Sequence, residues 1–250
     1  MSEPVICAVD AGVAHIELNR PDAANALDLP LAKALRQAVA RAAADDSVRA
    51  VLVTGAGQRF CVGGDVGSFI AAPEPSAYLH ALASEADLAV RALEALTKPV
   101  VAAVHGAVAG AGLAVMLACD LVVAAEGTKL AFAYPGIGLT PDCGVSYLLP
   151  RAIGSHRALG FALGGRPVDA ATAQEWGMVT EVVEDAHLRA RELADSLAAG
   201  PAVALGQTRR LLRAGWDADR GSTGAVEAAT IAEMVAGSEA QALIERFLSR

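Results

Sequence analysis

Residues 99–119 read PVVAAVHGAVAGAGLAVMLAC, an apolar run that only one histidine interrupts. The run is long enough to span a membrane as a helix, and it contains the GxxxG spacing at which such helices pair. Pro99 and the valine pair after it instead favour a buried strand, and the glycine cluster favours a turn. We therefore predict a strand, a glycine-rich turn, a short helix from about Ala111 and a further strand at Leu121–Ala125.

Strand and helix patterns alternate on both sides of this run. Two short strands around Asp10-Ala11-Gly12 have the signature of a hairpin, and Asp28 shortly before Pro30 is typical of a helix start. The predicted strands are Val5–Val9, Val13–Leu18, Arg49–Thr54, Val100–Val104 and Val179–Val183, and the predicted helices include Leu31–Ala44, Ser76–Leu96 and the chain after Gly200-Pro201. The sequence thus predicts an α/β fold through about residue 185, followed by a helical tail.

The composition narrows the range of functions. The 250 residues are 54% hydrophobic and carry a net charge of −8. Such a chain can bury a substantial core, and it lacks the concentrated basic surface of a nucleic-acid-binding protein. The four cysteines form no CxxC pair and the five histidines show no metal-ligand spacing. We expect a cytoplasmic protein without a membrane span, in which Cys61 and Cys143 act as small hydrophobic residues.

Two glycine-rich segments, residues 59–66 and residues 104–113, join strand patterns to helix patterns. Small residues would let the backbone approach a ligand there, and free N–H groups at a helix start can hold an anion. Spacing alone, however, favours glycines that serve tight turns. Neither segment is a dinucleotide fingerprint or a P-loop, and Leu148 stands where a hydrolase nucleophile elbow beginning at Gly144 would need glycine.

Several motifs follow one another along nearly the whole chain. They are LNRP (18–21), NAL (25–27), FCVGGD (60–65), KPVVAAVHG (98–106), GAG (110–112), ACDL (118–121), IGLTPD (137–142), LPR (149–151) and AQEWGMV (173–179). With these motifs the chain resembles the crotonase (enoyl-CoA hydratase/isomerase) superfamily. The resemblance implies a spiral of ββα units over residues 1–200, which holds an acyl-CoA site. It also implies a helical region over residues 201–250 that assembles homotrimers, often paired as hexamers.

The resemblance further implies a chemistry, which is stabilisation of the enolate of an acyl-CoA thioester. The backbone N–H groups of Val62 and Ala111 would form the oxyanion hole, since fixed amides and a positive helix end stabilise charge on the thioester oxygen. No cofactor is implied, because coenzyme A is part of the substrate. The positions carried over as substrate-binding are Arg20, Ala24, Gly63, Gly64, Asp65 and Tyr134. An arginine exposed without a ligand and a tyrosine of the core or pocket wall are alternative interpretations for two of them.

Departures from the family pattern bear on the reaction. Family hydratases use two glutamates at positions that hold Ala114 and Gly136 here, and neither residue can transfer a proton. Asp142 matches the catalytic aspartate of isomerase and dehalogenase relatives, although spacing alone would make it a turn residue. We therefore predict an enoyl-CoA isomerase that shifts a double bond with Asp142 as base. The alternatives are a hydratase with atypical catalytic residues, a dehalogenase- or hydrolase-type enzyme with Asp142 as nucleophile, and a non-catalytic acyl-CoA-binding protein.

Overall fold

Six strands form the main sheet of the computed structural model, which describes residues 3–249. The strands along the chain are β1 (Val5–Asp10), β2 (Val13–Leu18), β3 (Ala50–Gly55), β4 (Val100–Val104), β5 (Ala107–Ala109), β6 (Leu121–Ala125), β7 (Lys129–Ala131), β8 (Val168–Asp169) and β9 (Glu181–Val183). The main sheet has the order β1-β2-β3-β4-β6-β9, and a second sheet has the order β5-β7-β8. In the main sheet β1 and β2 form the predicted antiparallel hairpin, and all the later neighbours are parallel.

Eleven α-helices connect and cover the strands over residues 3–249. They are α1 (Leu29–Ala44), α2 (Val66–Ile70), α3 (Pro75–Ala95), α4 (Ala111–Leu117), α5 (Val145–Ile153), α6 (Ser155–Gly164), α7 (Ala170–Trp176), α8 (Ala186–Ala199), α9 (Ala202–Ala214), α10 (Arg220–Ala236) and α11 (Ser238–Leu248). Asp28 caps α1 as its sequence position predicts, because its carboxylate accepts a hydrogen bond from the N–H of Leu31. The mixed architecture confirms the predicted α/β class and the helical tail.

Helices cover the central strands on both faces. In β4 the side chains alternate, so that Val101 and Ala103 face α8 while Ala102 lies in the larger core with α1 and α3. The residues of α8 that face the sheet are buried alanines repeated every fourth position, at 186, 190, 194 and 198. Because an alanine side chain is a single methyl group, this stripe lets the helix axis come close to the sheet. The abundance of alanine in the sequence thus has a packing role here.

Residues 99–119 fold as β4, β5 and α4, which confirms the strand–turn–helix prediction for this run. No helix within residues 3–249 combines the length and the apolar character needed to cross a membrane. The sequence analysis missed the three short strands of the second sheet, β5, β7 and β8. Each has only two or three residues, too few to show a period of two, and each exists because a partner strand lies beside it.

A buried arginine is one of the contacts that attach the helical tail to the rest of the protein, beside Arg213 of the same helix, which also pairs with Asp120. Arg209 of α9 is only 7% exposed. Its guanidinium donates to the Oδ2 atom of Asp120 at 2.6 Å and to the carbonyl oxygens of Leu93 at 2.8 Å and Glu94 at 2.7 Å. Those carbonyls lie in the last turn of α3, where the helix supplies few N–H partners. The same Asp120 oxygen accepts from the N–H of Val100, so one ion pair joins α9, α3 and β4.

We expect Arg209→Met to lower the free energy of unfolding by about 2 kcal/mol, because it removes hydrogen bonds to buried carbonyls at the end of α3, while Asp120 keeps Arg213 and the N–H of Val100 as donors. Denaturant unfolding followed by circular dichroism measures the change. Arg91→Met, at an exposed position on α3, is the matched control and should cost little. Equal stabilities for the two variants would contradict this role of Arg209.

Candidate active site

The two glycine-rich segments lie against each other at the start of α4. Cys61 and Val108 form an isolated parallel bridge, in which the N–H of Ala109 donates to the carbonyl of Cys61 at 3.0 Å. One step earlier, the N–H of Phe60 donates to the carbonyl of His105 at 3.0 Å. These hydrogen bonds align the first glycine-rich segment with β5. Residues 62–64 of that segment therefore lie close to the N-terminus of α4.

Two glycines permit this close approach. Gly63 has φ +101°, and a Cβ atom there would lie 3.1 Å from the carbonyl oxygen of Ala109 and 3.4 Å from the nitrogen of Ala111. A Cβ atom on Gly112 would overlap the carbonyl oxygen of Cys61 and lie 3.0 Å from its carbonyl carbon. Any larger residue at either position would push the segments apart. The two glycines therefore act in the approach of one backbone to another, which the turn interpretation alone does not explain.

Two backbone N–H groups at this junction have no acceptor. Within residues 3–249, neither Val62 nor Ala111 donates a backbone hydrogen bond to another group of the chain. Ala111 is the first residue of α4, whose initial N–H groups have no intrahelical partner and lie at the positive end of the helix dipole. The junction thus offers two amide donors of the kind that an oxyanion hole uses. Their assignment to that role stays a prediction.

A cavity of about 490 Å³ opens beside these amides. Val62, Gly63 and Gly64 line it from the first segment, and Tyr134 and Asp142 line it from the chain after β7. Most of the remaining lining residues are apolar, namely Val66, Phe69, Leu79, Ala83, Ala133, Ile137, Leu139 and Pro141. The others are Ser76, His80, Gly110 and Thr140. Within the described residues, the lining contains a single carboxylate, that of Asp142.

Asp142 and Tyr134 are joined by a short hydrogen bond. The hydroxyl of Tyr134 donates to the Oδ1 atom of Asp142 at 2.6 Å. Burial, followed by the negative charge of Asp142 and this hydrogen bond, raises the pKa of Tyr134, so the phenol stays protonated and remains the donor. Asp142 also serves the turn that its spacing suggested, since its carbonyl accepts from the N–H of Val145 at the start of α5. Its backbone therefore shapes the loop while its side chain faces the cavity.

Other predicted site residues lie outside the cavity lining. Arg20 is held by two carboxylates, with its Nη2 atom 3.0 Å from Asp65 Oδ2 and 3.3 Å from Asp28 Oδ2. Asp65 in addition caps α2 by accepting from the N–H of Ser68 at 3.1 Å. The positive charge of Arg20 is thus already paired within the protein. Of the other predicted positions, Ala24 and Ala111 are likewise absent from the lining.

One wall of the cavity was missed at the level of sequence. Helix α3 contributes Ser76, Leu79, His80 and Ala83. These positions follow the i, i+3, i+4, i+7 spacing of one helix face, so the signal was present in the sequence. It did not identify the function of that face, because only the packing of α3 over the loop shows which side of the helix borders the cavity.

The positions of the two missing glutamates differ in their surroundings. The methyl group of Ala114 is fully buried in the core, on α4. Gly136 lies in an exposed 3-10 turn, Pro135–Ile137, and a Cβ atom there would meet nothing within 4 Å. Neither position offers a group that could bind or orient a water molecule. The structure thus agrees with the sequence in placing no acid–base pair there.

The buried cysteines are protonated thiols. Burial raises the pKa of Cys61 to about 12, and burial together with the charge of Asp120 raises that of Cys119 to about 12. Burial and then the charge of Asp142 raise the pKa of Cys143 as well. Within residues 3–249 no group of three or more histidine, cysteine or acidic side chains could hold a metal ion. The buried thiols are thus not ready nucleophiles, and the ionisable side chains that line the cavity within the described residues are Asp142, Tyr134 and His80.

Comparisons with known proteins agree on one family. A family model described as enoyl-CoA hydratase/isomerase matches residues 8–250. A 1,2-epoxyphenylacetyl-CoA isomerase from Escherichia coli K12 is 38% identical over 216 residues, which cover 85% of this chain and 82% of that protein. A Rhodobacter capsulatus protein named as a probable enoyl-CoA hydratase is 35% identical over 246 residues, covering 97% and 93%. The crystal structure of an enoyl-CoA hydratase from Mycobacterium smegmatis has a TM-score of 0.93 at 28% identity, covering 99% of this chain and 97% of that chain.

The raised thiol pKa values predict slow alkylation of the native protein. At about pH 8, where an ordinary thiol is partly ionised, N-ethylmaleimide should modify at most one cysteine per chain, the half-buried Cys7. Mass spectrometry counts the adducts, and the urea-unfolded chain should take up four. A second thiol that reacts rapidly in the folded protein would contradict the protonated, buried state of the other three.

Proposed function

Because the chain belongs to the enoyl-CoA hydratase/isomerase family, we propose that it is an enoyl-CoA isomerase. It shifts a double bond along the acyl chain of a coenzyme A thioester, with Asp142 as the base. The observation that carries the proposal is the cavity lining, in which Asp142 is the one carboxylate within the described residues. A single carboxylate suffices for a reaction that removes one proton and returns it at another carbon.

The mechanism follows from the two parts of the site. In a 3-enoyl thioester Asp142 removes a proton from C2, which lies between the carbonyl and the double bond. The electron pair of the broken C–H bond forms a C1=C2 bond, and the carbonyl pair moves to the thioester oxygen. The N–H groups of Val62 and Ala111 then donate to that oxygen and stabilise the dienolate. When the carbonyl re-forms, the electron pair of C1=C2 makes the new C2=C3 double bond, and the pair of the former C3=C4 bond takes the proton back from the carboxyl group of Asp142 at C4. The substrate and the product are isomers, and the enzyme ends in its starting state.

The same observations weigh against ordinary hydration. Adding water across a double bond needs one group to activate the water and another to protonate the carbon. Ala114 is buried in the core and Gly136 carries no side chain, so the two positions that would do this in family hydratases are empty of acids. The E. coli relative is itself named as an isomerase, and the Rhodobacter relative as a probable hydratase. The names of the relatives are thus divided between the two reactions, and the residues of the cavity support isomerisation.

Substrate contacts follow from the cavity. Gly63 and Gly64 line it and leave backbone surface open to the thioester, while the apolar side chains of Phe69, Leu79 and Leu139 suit an acyl chain. Arg20 and Ala24 lie in the segment between β2 and α1, and Asp65 follows Gly64; none of the three lines the cavity. We assign them an indirect part, in which the hydrogen bond from Arg20 to Asp65 fixes one segment against the other. Coenzyme A enters as part of the substrate, so no separate cofactor is proposed.

The C-terminal helices fit a role in assembling a homotrimer or a hexamer. Large apolar side chains on α10 and α11 are exposed in the single chain, among them Ile231, Leu243, Phe247 and Leu248. Such exposure on consecutive helices is typical of surfaces that become buried between subunits. This supports the oligomeric state that the family resemblance implies.

The reaction is tested by incubating the purified full-length protein with a 3-enoyl-CoA and, separately, with a trans-2-enoyl-CoA. We expect the 3-enoyl substrate to become the 2-enoyl isomer without a change in mass, because the site moves a proton and adds nothing. Chromatography and mass spectrometry follow the products. A gain of one water from the 2-enoyl substrate would instead establish a hydratase, and the absence of any reaction would favour the non-catalytic or nucleophilic alternative.

Asp142→Asn should lower kcat for the isomerisation by about 10³-fold, the usual contribution of a general base, with little change in KM. Asp87→Asn is the matched control, because Asp87 lies on α3 near the same loop but does not line the cavity. Its kcat should equal that of the wild type. Full activity of Asp142→Asn would overturn the assignment, and an acyl-aspartyl or aryl-aspartyl ester trapped on Asp142 would show that it attacks as a nucleophile.

Gly112→Ala should lower kcat by about 10²-fold, the usual effect of losing one oxyanion donor, because the new methyl group displaces the segment that carries Val62. Gly63→Ala perturbs the same contact from the other side. Gly160→Ala, on α6 with open space around its Cβ position, is the control and should be neutral. Turnover unchanged in both Gly112→Ala and Gly63→Ala would show that the oxyanion hole lies elsewhere.

A further inference from the structure

We propose that Tyr134 is the positioning residue of Asp142. Its hydroxyl holds the Oδ1 atom of the carboxylate and thereby leaves Oδ2 as the atom that accepts the substrate proton. The inference rests on the proposed function, in which Asp142 is the base. It differs from the interpretation of Tyr134 as a wall of the substrate pocket, because a wall would act through the shape of its ring alone.

The hydrogen bond itself has the geometry that positioning requires. At 2.6 Å, the O–H···O distance between Tyr134 and Asp142 is at the short end of the range, as expected where a neutral hydroxyl donates to a carboxylate. A carboxylate has two oxygens, and engaging one fixes the rotation of the group about its last bond. The other oxygen then keeps one direction relative to the cavity.

The Tyr134 ring is itself held in place. Tyr134 is 8% exposed, and its ring packs against that of Phe132 in an edge-to-face arrangement with 5.2 Å between ring centroids. Its carbonyl oxygen accepts from the N–H groups of Ile137 and Leu139, which closes a tight turn around the residue. The ring also borders the start of α4, since a Cβ atom on Gly110 would lie 3.9 Å from Tyr134 Cζ. The Tyr134 side chain, which carries the donating hydroxyl, is therefore packed against the segment of the proposed oxyanion hole.

Little else orients the Asp142 side chain. Within residues 3–249 no lysine, arginine or histidine forms an ion pair with it. The neighbouring Cys143 is a thiol, which is a weak donor, and its sulfur also faces the carbonyl oxygen of Ala83. Removing the Tyr134 hydroxyl would thus free the carboxylate to rotate. Such misplacement of a base costs rate more than it costs substrate affinity.

The protonation state of Tyr134 also makes it a donor to Asp142. The buried position and the adjacent carboxylate raise the pKa of Tyr134, so the phenol keeps its proton over the whole range of an ordinary assay. Tyr134 is therefore a permanent donor to Asp142, and it is not a second base. Its effect on the reaction passes through the carboxylate, which makes the two residues a coupled pair.

Tyr134→Phe in the full-length protein tests the inference, because it removes the hydroxyl and keeps the ring. We expect kcat for the isomerisation of a 3-enoyl-CoA to fall about tenfold to a hundredfold, the range for losing one hydrogen bond to a charged group, with KM within about twofold. The matched control is Tyr147→Phe, which removes a phenol that donates to Asp217 at 2.8 Å outside the cavity. That variant should keep the kcat of the wild type.

A double-mutant cycle separates positioning from a structural effect. In an Asp142→Asn background, Tyr134→Phe should cause no further loss of kcat, because the hydroxyl acts only through the carboxylate. A loss of the same size in both backgrounds, or a Tyr134→Phe enzyme with the wild-type kcat, would overturn the inference. Full activity of Asp142→Asn alone would instead overturn the proposed function. Thermal unfolding of each variant shows that the fold is retained.

Discussion

The contact between two backbones at the start of α4 is the constraint on which the site depends. Gly112 lies so close to the carbonyl group of Cys61 that a methyl group would overlap it, and Gly63 adopts a left-handed conformation against the next turn of chain. At this contact, within residues 3–249, the N–H groups of Val62 and Ala111 have no backbone acceptor in the chain. The cost of leaving two amides unpaired is offset when a ligand oxygen accepts from them.

The character of the cavity follows from which polar groups it contains. Its walls are mostly apolar, and within the described residues one carboxylate, one phenol and one imidazole are the ionisable groups that line it. A single carboxylate can remove a proton from one carbon and return it at another, whereas the positions of the two glutamates that family hydratases use hold Ala114 and Gly136 here. The hydrogen bond from Tyr134 gives that carboxylate a defined orientation. The proposal of isomerisation thus rests as much on the two missing glutamates as on the aspartate that is present.

The stability of the cavity wall is linked to the helical tail through α3. The first half of this helix borders the cavity, and the carbonyl groups at its end accept hydrogen bonds from Arg209 of α9. Arg209 also pairs with Asp120, which receives the first N–H group of β4. Strand β4 leads directly into the glycine segment and α4. One buried ion pair therefore supports both sides of the site, at a distance from the reacting groups.

The sequence by itself determined the elements whose signal is local. The valine-rich runs predicted the buried strands, Asp28 predicted the start of α1, and the order of motifs identified the family and pointed to Asp142. Tertiary structure alone decided the short strands of the second sheet, the face of α3 that borders the cavity, and the pairing of Arg20 with Asp65. The bond between Tyr134 and Asp142 belongs to the same group, because a turn has to bring together two residues that no sequence periodicity relates. Local propensity acts over a few residues, whereas a catalytic geometry is a set of distances between segments that meet only when the chain is packed.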